Sequence, residues 1–358
     1  MEWTDLRSLN IEELTQAVLE LGEKRFRADQ IYDWLHKKLV SSPEEMRNVP
    51  RVCMDALLKK HPLYGVRELA RYESRLDGTV KFVFGLHDGN VIESVLMPYK
   101  HGNSVCISSQ AGCRMGCRFC ASTLDGLTRN LYPSEMLDQI YQIQRISGER
   151  VSHVVVMGTG EPFDNFESLS RMLDMISDQK GLRISHRNIT VSTCGLVPKI
   201  YEFADRHPQV TLAISLHAPN DRLRQSLMPV ARLYDLKELM KAAAYYVRKT
   251  GRRITFEYSL VQGENDGIPQ AAELVSLIRG LNCHVNLIPV NPIRERTYKR
   301  SAGPSVRAFK DYLEQKGIQV TVRREMGADI QAACGQLRKD YKENFSERSG
   351  NDELLWFD

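Results

Sequence analysis

The stretch "QAGCRMGCRFCAS", residues 110–122, places three of the chain's eight cysteines within eight positions. Three thiols are one fewer than a closed structural zinc site uses, and one more than a redox pair needs. Cysteine thiolates also hold iron–sulfur clusters, commonly four of them. A four-iron cluster held by Cys113, Cys117 and Cys120 would leave one iron open to a further ligand. A zinc ion would instead need a distant fourth ligand, for which Cys106 and His101 are candidates.

The composition is that of an ordinary globular protein. The 358 residues are 42% hydrophobic and 26% charged, with a net charge of +4. That length allows one large domain, or one large and one small domain. Because no apolar run reaches 18 residues and the polar N-terminus is unlike a signal peptide, we expect a cytoplasmic protein without membrane spans. Clustered cysteines in a reducing compartment indicate metal binding or catalysis, and the mild positive charge permits a nucleic-acid partner.

The first hundred residues predict two accessory regions. Residues 1–65 carry apolar positions at helical spacing, with Gly22 dividing a first helix from a second, and "RVCMDALLKK" predicts a third. Residues 66–100 contain two alternating stretches around "HDGN", which predicts a β-hairpin. We expect a small helical domain followed by a hairpin linker.

Residues 101–340 show a repeating pattern of strands and helices. Six apolar strands, from "SVCISS" to "HVNLIPVN", alternate with helical stretches, and "IQVTVRRE" follows them. This alternation predicts βαβ units and a parallel sheet of the α/β class. Six units could close or partly close into a barrel, or form a doubly wound sheet. In either case the functional residues should gather at the C-terminal ends of the strands. Residues 341–358 predict an acidic tail.

Polar residues stand at the ends of four of the six strands. The second strand ends in "GTGEP", where glycines allow a ligand to approach the backbone and Glu161 offers an acceptor for an amine. Ser192 ends the third strand, Ser215 to His217 end the fourth, and Asn291 ends the sixth. Each of these alone is more often a turn or cap residue. Together with the cysteine loop they predict a cofactor pocket.

At this level of detail the chain resembles a known family. "CRMGCRFC" resembles the three-cysteine motif of radical S-adenosylmethionine (SAM) enzymes, and "GTGEP" resembles their glycine–glutamate motif. "SVCISSQAGC", "RNITVST", "AISLHAPND", "HVNLIPVNP" and "DIQAACGQL" together resemble the bacterial RlmN/Cfr family of radical SAM RNA adenine methyltransferases. "GEKRFRADQIYDWLHKK" resembles that family's N-terminal domain. The resemblance covers nearly the whole chain except the tail, and it implies a partial (β/α)6 radical SAM barrel.

The resemblance also implies a role for each matching residue. Three cysteines would hold a 4Fe–4S cluster, whose open iron would bind the amino and carboxyl groups of SAM. Cys334 matches the methyl-carrying cysteine, Cys106 the resolving cysteine and Glu93 the proton acceptor. The implied cluster ligands are Cys113, Cys117 and Cys120, and the implied SAM-binding residues are Gly160, Glu161, Ser192, Ser215, Leu216, His217 and Asn291. Without this resemblance, the sequence alone would predict that Cys334 and Cys106 are core residues and that Glu93 is a surface carboxylate on a strand.

The family's chemistry implies two SAM molecules per turnover. The first would methylate Cys334, because a thiolate is a good nucleophile. The second would be cleaved reductively at the cluster, and the resulting radical would activate the methyl group for addition to adenine. Cys106 would then attack the Cys334 sulfur while Glu93 removes the ring proton. An electron donor such as flavodoxin or ferredoxin is implied, and we expect a monomer.

The implied substrates are 23S rRNA and tRNA. One branch of the family methylates carbon 2 of an adenosine in the peptidyl transferase centre and in the tRNA anticodon loop; the other methylates carbon 8 and gives antibiotic resistance. Ala111 and Pro289 resemble the first branch. The segment 293–310 carries six basic residues against one Glu, so it could contact phosphates or simply form a solvated face. A zinc-bearing RNA-binding module without catalysis is the alternative from another class.

Overall fold

The computed structural model describes residues 5–333 and 335–337. The α-helices in these residues are α1 (Ile11–Glu20), α2 (Phe26–His36), α3 (Arg51–Lys60), α4 (Pro133–Ser147), α5 (Phe166–Ser177), α6 (Val197–Arg206), α7 (Asp221–Leu227), α8 (Leu236–Thr250), α9 (Ile268–Ile278) and α10 (Gly303–Gln315). The strands are β1 (Arg67–Glu73), β2 (Val80–Gly85), β3 (Val91–Tyr99), β4 (Gly102–Ile107), β5 (Gln110–Gly112), β6 (Leu127–Asn130), β7 (Val151–Val156), β8 (Ile189–Thr193), β9 (Thr211–Ser215), β10 (Ile254–Leu260), β11 (Cys283–Pro289) and β12 (Gln319–Val322).

The three N-terminal helices form a bundle with its own apolar core. Their inward faces contribute Leu14, Tyr32 and Leu57, each almost completely buried. Helix α1 begins at a capping box in which Asn10 Oδ1 accepts from the Glu13 amide at 2.8 Å and Glu13 Oε2 accepts from the Asn10 amide at 2.9 Å. The predicted helices and the break at Gly22, where φ is +76°, are confirmed.

Buried polar contacts attach this bundle to α4. Arg7 Nη1 lies 2.7 Å from Asp138 Oδ1, and both side chains are almost fully buried. Asp138 Oδ2 also accepts from the Val66 amide at 2.7 Å. His36 Nδ1 lies 2.9 Å from the Tyr141 hydroxyl. Since these partners are excluded from water, the bundle is packed onto the rest of the chain rather than tethered to it.

One sheet of ten strands runs through the chain in the order β1-β2-β3-β4-β7-β8-β9-β10-β11-β12. The strands β1 to β4 pair antiparallel, and β4 with β7 to β12 pair parallel. The six predicted strands and the seventh after them are therefore confirmed, with helices between them. Because β1 and β12 stand at opposite ends of this order, the sheet is an open, partial barrel of the α/β class, as predicted.

Two pairings were missed from the sequence. Strand β1 extends the predicted hairpin to three strands, and its sequence "RELARYE" is too charged to show apolar alternation because it lies at the sheet edge. Strands β5 and β6 form a separate ribbon that brackets the cysteine loop. A Cβ on Gly112 would lie 2.1 Å from the Gly126 carbonyl oxygen, so only glycine allows this ribbon to close.

Among the described residues, no helix combines the length and apolar character needed to cross a membrane. The predicted acidic tail, 341–358, and the predicted methyl carrier Cys334 lie outside the described residues. Residue 100, the predicted end of the hairpin region, falls in the turn between β3 and β4. The antiparallel strands β1 to β3 and the parallel strands belong to one continuous sheet.

Candidate functional site

A cavity of about 950 Å³, counting its open mouth, lies at the C-terminal ends of the parallel strands. Nine of the residues predicted for the cluster and for SAM line it, namely Cys113, Cys117, Cys120, Gly160, Glu161, Ser192, Ser215, His217 and Asn291. The parallel topology explains the gathering, because every one of these residues ends a strand or lies in the loop that follows one.

The cysteine loop places three cysteines at this cavity, of which Cys113 and Cys117 are buried and Cys120 is half-buried. The Cys113 amide donates to the Gly126 carbonyl at 2.9 Å, and Thr123 Oγ1 donates to the carbonyls of Cys117 at 3.1 Å and Cys120 at 3.0 Å. Burial raises the pKa of the Cys113 thiol to about 12, with smaller contributions from Cys120 and two carboxylates. Burial also raises the pKa of Cys117 well above its usual value. Three thiols on one loop at one cavity can bind a metal centre, whose positive charge would offset the cost of ionising them.

A buried arginine lies behind the cysteine loop. Arg224 is fully buried and donates to the carbonyls of Cys194 at 2.6 Å and Leu216 at 3.2 Å. It acts favourably on an ionised Cys117 thiol, opposing part of the desolvation there. A fixed guanidinium at this position therefore offsets part of the negative charge that thiolate ligands would bring.

The two fourth ligands considered for a zinc ion are not supported by the geometry. His101 stacks on Tyr99 with ring centroids 5.1 Å apart, at the start of β4, whereas the cysteine loop follows the end of that six-residue strand. A strand of six residues is about 20 Å long, which separates His101 from the thiols. Cys106 is buried among Val95, Met97 and Met326 and does not line the cavity of the three cysteines.

The "GTGEP" turn is held by its own glutamate. Glu161 Oε1 accepts from the Phe163 amide at 3.0 Å and Oε2 accepts from the Cys194 amide at 2.7 Å. Burial raises the pKa of Glu161, and these backbone N–H groups oppose the shift. The carboxylate therefore fixes the turn, and its amine-binding role stays a prediction. A Cβ on Gly158 would lie 2.7 Å from the Ile107 carbonyl oxygen, so a larger residue does not fit at this position.

His217 is held in one tautomer at the end of β9. The Ser259 amide donates to His217 Nδ1 at 2.9 Å, and burial together with Arg224 lowers the pKa of His217 to about 3. The ring is therefore neutral, with its proton on Nε2, and it packs edge-on to Phe119 with centroids 4.7 Å apart. Ser192 Oγ and Ser215 Oγ lie 3.4 Å apart. Leu216 differs from its neighbours, because its side chain is buried in the core.

Cys106 and Glu93 line two smaller cavities next to the main one. Cys106 shares its cavity with Ala333, and that cavity and the main one have Asn291 and Arg323 in common. Glu93 lines a third cavity, which shares Ser122 with the main one. The predicted proton acceptor and resolving thiol are thus brought next to the main cavity without being part of its wall.

The described residues that follow position 334 are attached to the cysteine loop. The Ala121 amide donates to the Gly335 carbonyl at 2.9 Å, and Ser122 Oγ donates to the Leu337 carbonyl at 3.0 Å. Gly335 lines the main cavity. This part of the C-terminal segment therefore lies against the cavity of the three cysteines.

Sequence reasoning missed three charged residues at or beside these cavities. Lys81 Nζ lies 3.1 Å from Glu93 Oε1, Arg224 lies behind the cysteines, and Glu257 lines the main cavity from within β10. The strand "ITFEYSL" shows that Glu257 alternates with aromatic residues, which is a signal that it points away from the helices. Lys81 and Arg224 carried no comparable signal.

Comparisons with known proteins match two separate parts of the chain. Residues 107–275 match the family model described as the Radical SAM superfamily. Residues 4–60 match the model described as the ribosomal RNA large subunit methyltransferase N-terminal domain.

Whole-chain relatives agree. The chain is 60% identical over 340 residues to the probable dual-specificity RNA methyltransferase RlmN of Lachnoclostridium phytofermentans, which covers 95% of this chain and 96% of that protein. It is 50% identical over 337 residues to a Clostridium botulinum protein of the same name, covering 94% and 98%. The crystal structure of a radical SAM methyltransferase from Sphaerobacter thermophilus superposes with a TM-score of 0.90 at 43% identity, covering 94% of this chain and 99% of that one.

Proposed function

Because the chain belongs to the RlmN family of radical SAM RNA methyltransferases, we propose that it methylates carbon 2 of adenosine in 23S rRNA and in tRNA. The rRNA target would be the adenosine of the peptidyl transferase centre, and the tRNA target an anticodon-loop adenosine. The observation that carries the proposal is the gathering of the three cysteines and the strand-end polar residues around one cavity, beside the cavities of Cys106 and Glu93. Membership of this enzyme family excludes the alternative of a zinc-bearing RNA-binding module without catalysis.

The cofactors fit the residues that line the cavity. Cys113, Cys117 and Cys120 would hold the 4Fe–4S cluster, because all three cysteines of their loop line one cavity. When bound, the cluster supplies the electron for reductive cleavage of SAM to the 5′-deoxyadenosyl radical. Gly160, Glu161, Ser192, Ser215, His217 and Asn291 would bind SAM. The buried Leu216 would contribute through its backbone.

Carbon 2 of adenine explains why the proposal needs more than one thiol. That carbon is electron-poor and has no nucleophilic lone pair, so direct polar transfer from SAM cannot reach it. Cys334 would accept a methyl group from a first SAM and, after a second SAM supplies the radical, carry the methylene carbon to the ring. The attachment of Gly335 and Leu337 to the cysteine loop supports this role, although Cys334 itself lies outside the described residues.

Release of the product would fall to Cys106 and Glu93. Cys106 would attack the Cys334 sulfur and form a transient disulfide, a step that requires direct contact between the two sulfurs. Ala332 and Ala333 line the cavity of Cys106, which supports this approach. Glu93 would remove the ring proton. Its side chain points to the same face of the sheet as Cys106, because Val95 pairs with Cys106 and Glu93 lies two residues before Val95.

The RNA would bind on the face where these cavities open. The basic segment 293–310 lies next to it, but two of its cations are already paired, Arg300 with Glu325 and Lys310 with Glu314. Arg294 and Lys299 are exposed and could neutralise phosphates. We propose that the N-terminal bundle helps to engage RNA, that a flavodoxin or ferredoxin supplies electrons, and that the protein works as a cytoplasmic monomer.

The decisive experiment is nucleoside analysis of rRNA and tRNA from cells with and without the gene. We expect 2-methyladenosine to disappear from both RNA classes on deletion and to return with the wild-type gene. A gene copy with Cys334→Ala should not restore it. The alternative, the carbon 8 branch, predicts loss of 8-methyladenosine with 2-methyladenosine unchanged, and that outcome would reject the proposed regioselectivity.

A further inference from the structure

One buried carboxylate in the main cavity has no part in the roles described above. Glu257 lies in the middle of β10, is 5% exposed and lines the cavity together with the cysteines and the strand-end residues. A carboxylate in such a place is costly unless charges or hydrogen bonds compensate it. Burial raises its pKa, and the Arg323 guanidinium opposes the shift. The cost of burying this carboxylate indicates that Glu257 has a functional role.

Glu257 stands between two residues of the SAM-binding set. In the parallel register it pairs with Ser215 on β9 and with Asn286 on β11, and Asn291 follows β11. Its carbonyl oxygen accepts from the Leu216 amide at 3.0 Å. The cysteine loop follows β4, which is four strands away in the sheet order. Glu257 therefore lies on the side of the cavity away from the strand that leads to the cluster.

The side chain is fixed by one of its two oxygens. Oε2 accepts from Asn286 Nδ2 at 2.9 Å, and Asn286 Oδ1 accepts in turn from Thr321 Oγ1 at 3.0 Å. Arg323 Nη1 lies 3.9 Å from the same oxygen. Within the described residues, Oε1 accepts no hydrogen bond. One oxygen is thus held by the protein, and the other is left to accept hydrogen bonds from a ligand in the cavity.

The chemistry of SAM indicates which of its groups this oxygen would meet. If the amino and carboxyl groups of SAM were held at the cysteine loop, its nucleoside would occupy the rest of the cavity, which residues of β9, β10 and β11 line. The purine ring edge presents mostly acceptors, whereas the ribose presents two neighbouring hydroxyl donors. Carboxylates bind ribose hydroxyls in the same way in dinucleotide sites. The Asn291 amide, a donor and an acceptor together, suits the adenine edge.

We propose that Glu257 binds the 2′- and 3′-hydroxyl groups of the SAM ribose. The inference rests on the proposed function, because it takes SAM as the occupant of the cavity. Glu257 would act by orienting the nucleoside, so that the 5′ carbon is directed toward the segment that carries residue 334.

The test measures binding of S-adenosylhomocysteine to the anaerobic, cluster-loaded protein by calorimetry, so no turnover is needed. Its 2′-deoxy and 3′-deoxy analogues remove one hydroxyl each. A hydrogen bond to a charged acceptor predicts that wild-type protein binds at least one analogue roughly tenfold or more weakly than the parent. In Glu257→Ala and Glu257→Gln the parent should bind more weakly, and the ratio between parent and analogue should fall toward one.

Glu264→Gln provides the matched control, because this glutamate is exposed in the loop after the same strand. It should keep the wild-type ratio. Iron content and the cluster absorption band verify that each variant is loaded. A wild-type protein that binds all three ligands equally overturns the proposal without any variant, and so does an unchanged ratio in both Glu257 variants. If wild-type protein fails to bind S-adenosylhomocysteine at all, the assignment of the cavity to SAM fails first.

Discussion

Lys81 and Glu93 form an ion pair between neighbouring antiparallel strands, with Lys81 Nζ 3.1 Å from Glu93 Oε1. Their side chains are only 11% and 7% exposed. Lys81 Nζ also lies over the Tyr72 ring, 5.3 Å from its centroid. The ion pair therefore fixes the position of the carboxylate that is the proposed proton acceptor.

We predict that Lys81→Met slows removal of the ring proton. Without the ammonium group, the Glu93 carboxylate loses the contact that holds it in place, so single-turnover methylation should fall roughly tenfold. Rapid-quench measurement of that step gives the rate. Lys100→Met, which removes an exposed lysine just after β3, is the control. An unchanged rate in Lys81→Met would contradict an effect through Glu93.

We predict that Cys106→Ala stalls with RNA attached. Cluster loading and methylation of Cys334 should be normal, because Cys106 does not line the main cavity. The covalent link to the adenine should persist, since the attacking thiol is missing. Mass spectrometry of nuclease-treated protein should find nucleotide mass on the peptide containing Cys334. Cys334→Ala should carry none, and a Cys106→Ala protein that completes methylation without adduct would remove Cys106 from the mechanism.

We predict that replacing Cys113, Cys117 and Cys120 together by Ala removes both iron and reductive cleavage of SAM. Each thiol lines the same cavity, and no ionised ligand would remain to hold the cluster there. Iron analysis and 5′-deoxyadenosine formation after anaerobic reconstitution test this. Cys283→Ala changes a buried thiol at the start of β11 and should retain both properties. A triple variant that keeps iron and forms 5′-deoxyadenosine would refute the ligand assignment.

We predict that Arg7→Met destabilises the protein by about 3–5 kcal/mol, because it leaves the buried Asp138 carboxylate without its cation. Asp138→Asn in the Arg7→Met background should recover part of the loss, since it removes the uncompensated charge and can retain the hydrogen bond from the Val66 amide. Urea unfolding gives both values. For the same reason, a chain shortened to begin near residue 66 should be less stable. Equal stability of wild type and Arg7→Met would contradict the packing of the bundle on α4.

We predict a pH dependence of stability from His36. Burial lowers its pKa from 6.5 to about 3, so the unfolded chain binds one more proton than the folded chain between these values. Stability should therefore be complete above pH 6.5 and fall as the pH decreases, by about 2 kcal/mol at pH 5. His36→Gln should flatten this slope by about one proton in urea unfolding across that range. The exposed His101→Gln should leave the slope unchanged, and an identical slope in His36→Gln would be the contrary result.

The sequence was sufficient for the succession of parallel strands and for much of the wall of the main cavity. Short apolar runs indicate parallel strands, and the C-terminal ends of such strands meet at one edge, so Ser192, Ser215 and Asn291 could be placed together from the sequence. The cysteine spacing indicated a metal centre but left zinc and an iron–sulfur cluster as alternatives, which only the family resemblance separated. Such local patterns carry over well because the backbone topology alone brings their residues together.

Residues that act across strands could not be found in this way. The pairing of Lys81 with Glu93 depends on the register of β2 against β3, which a single sequence does not encode in any short motif. Strand β1 was missed because an edge strand needs no apolar alternation. Arg224 is fully buried although it belongs to a short, polar helix, and only the packing around Cys194 shows why.

The antiparallel strands β1 to β3 and the parallel strands share one sheet. The relative positions of the residues in the proposed mechanism therefore depend on strand register. Lys81, Glu93 and Cys106 lie on three consecutive strands, β2, β3 and β4, and point to one face. A slip of one residue would turn a whole strand's side chains to the opposite face. A single insertion inside β3 would therefore separate the proposed base, Glu93, from the proposed resolving thiol of Cys106.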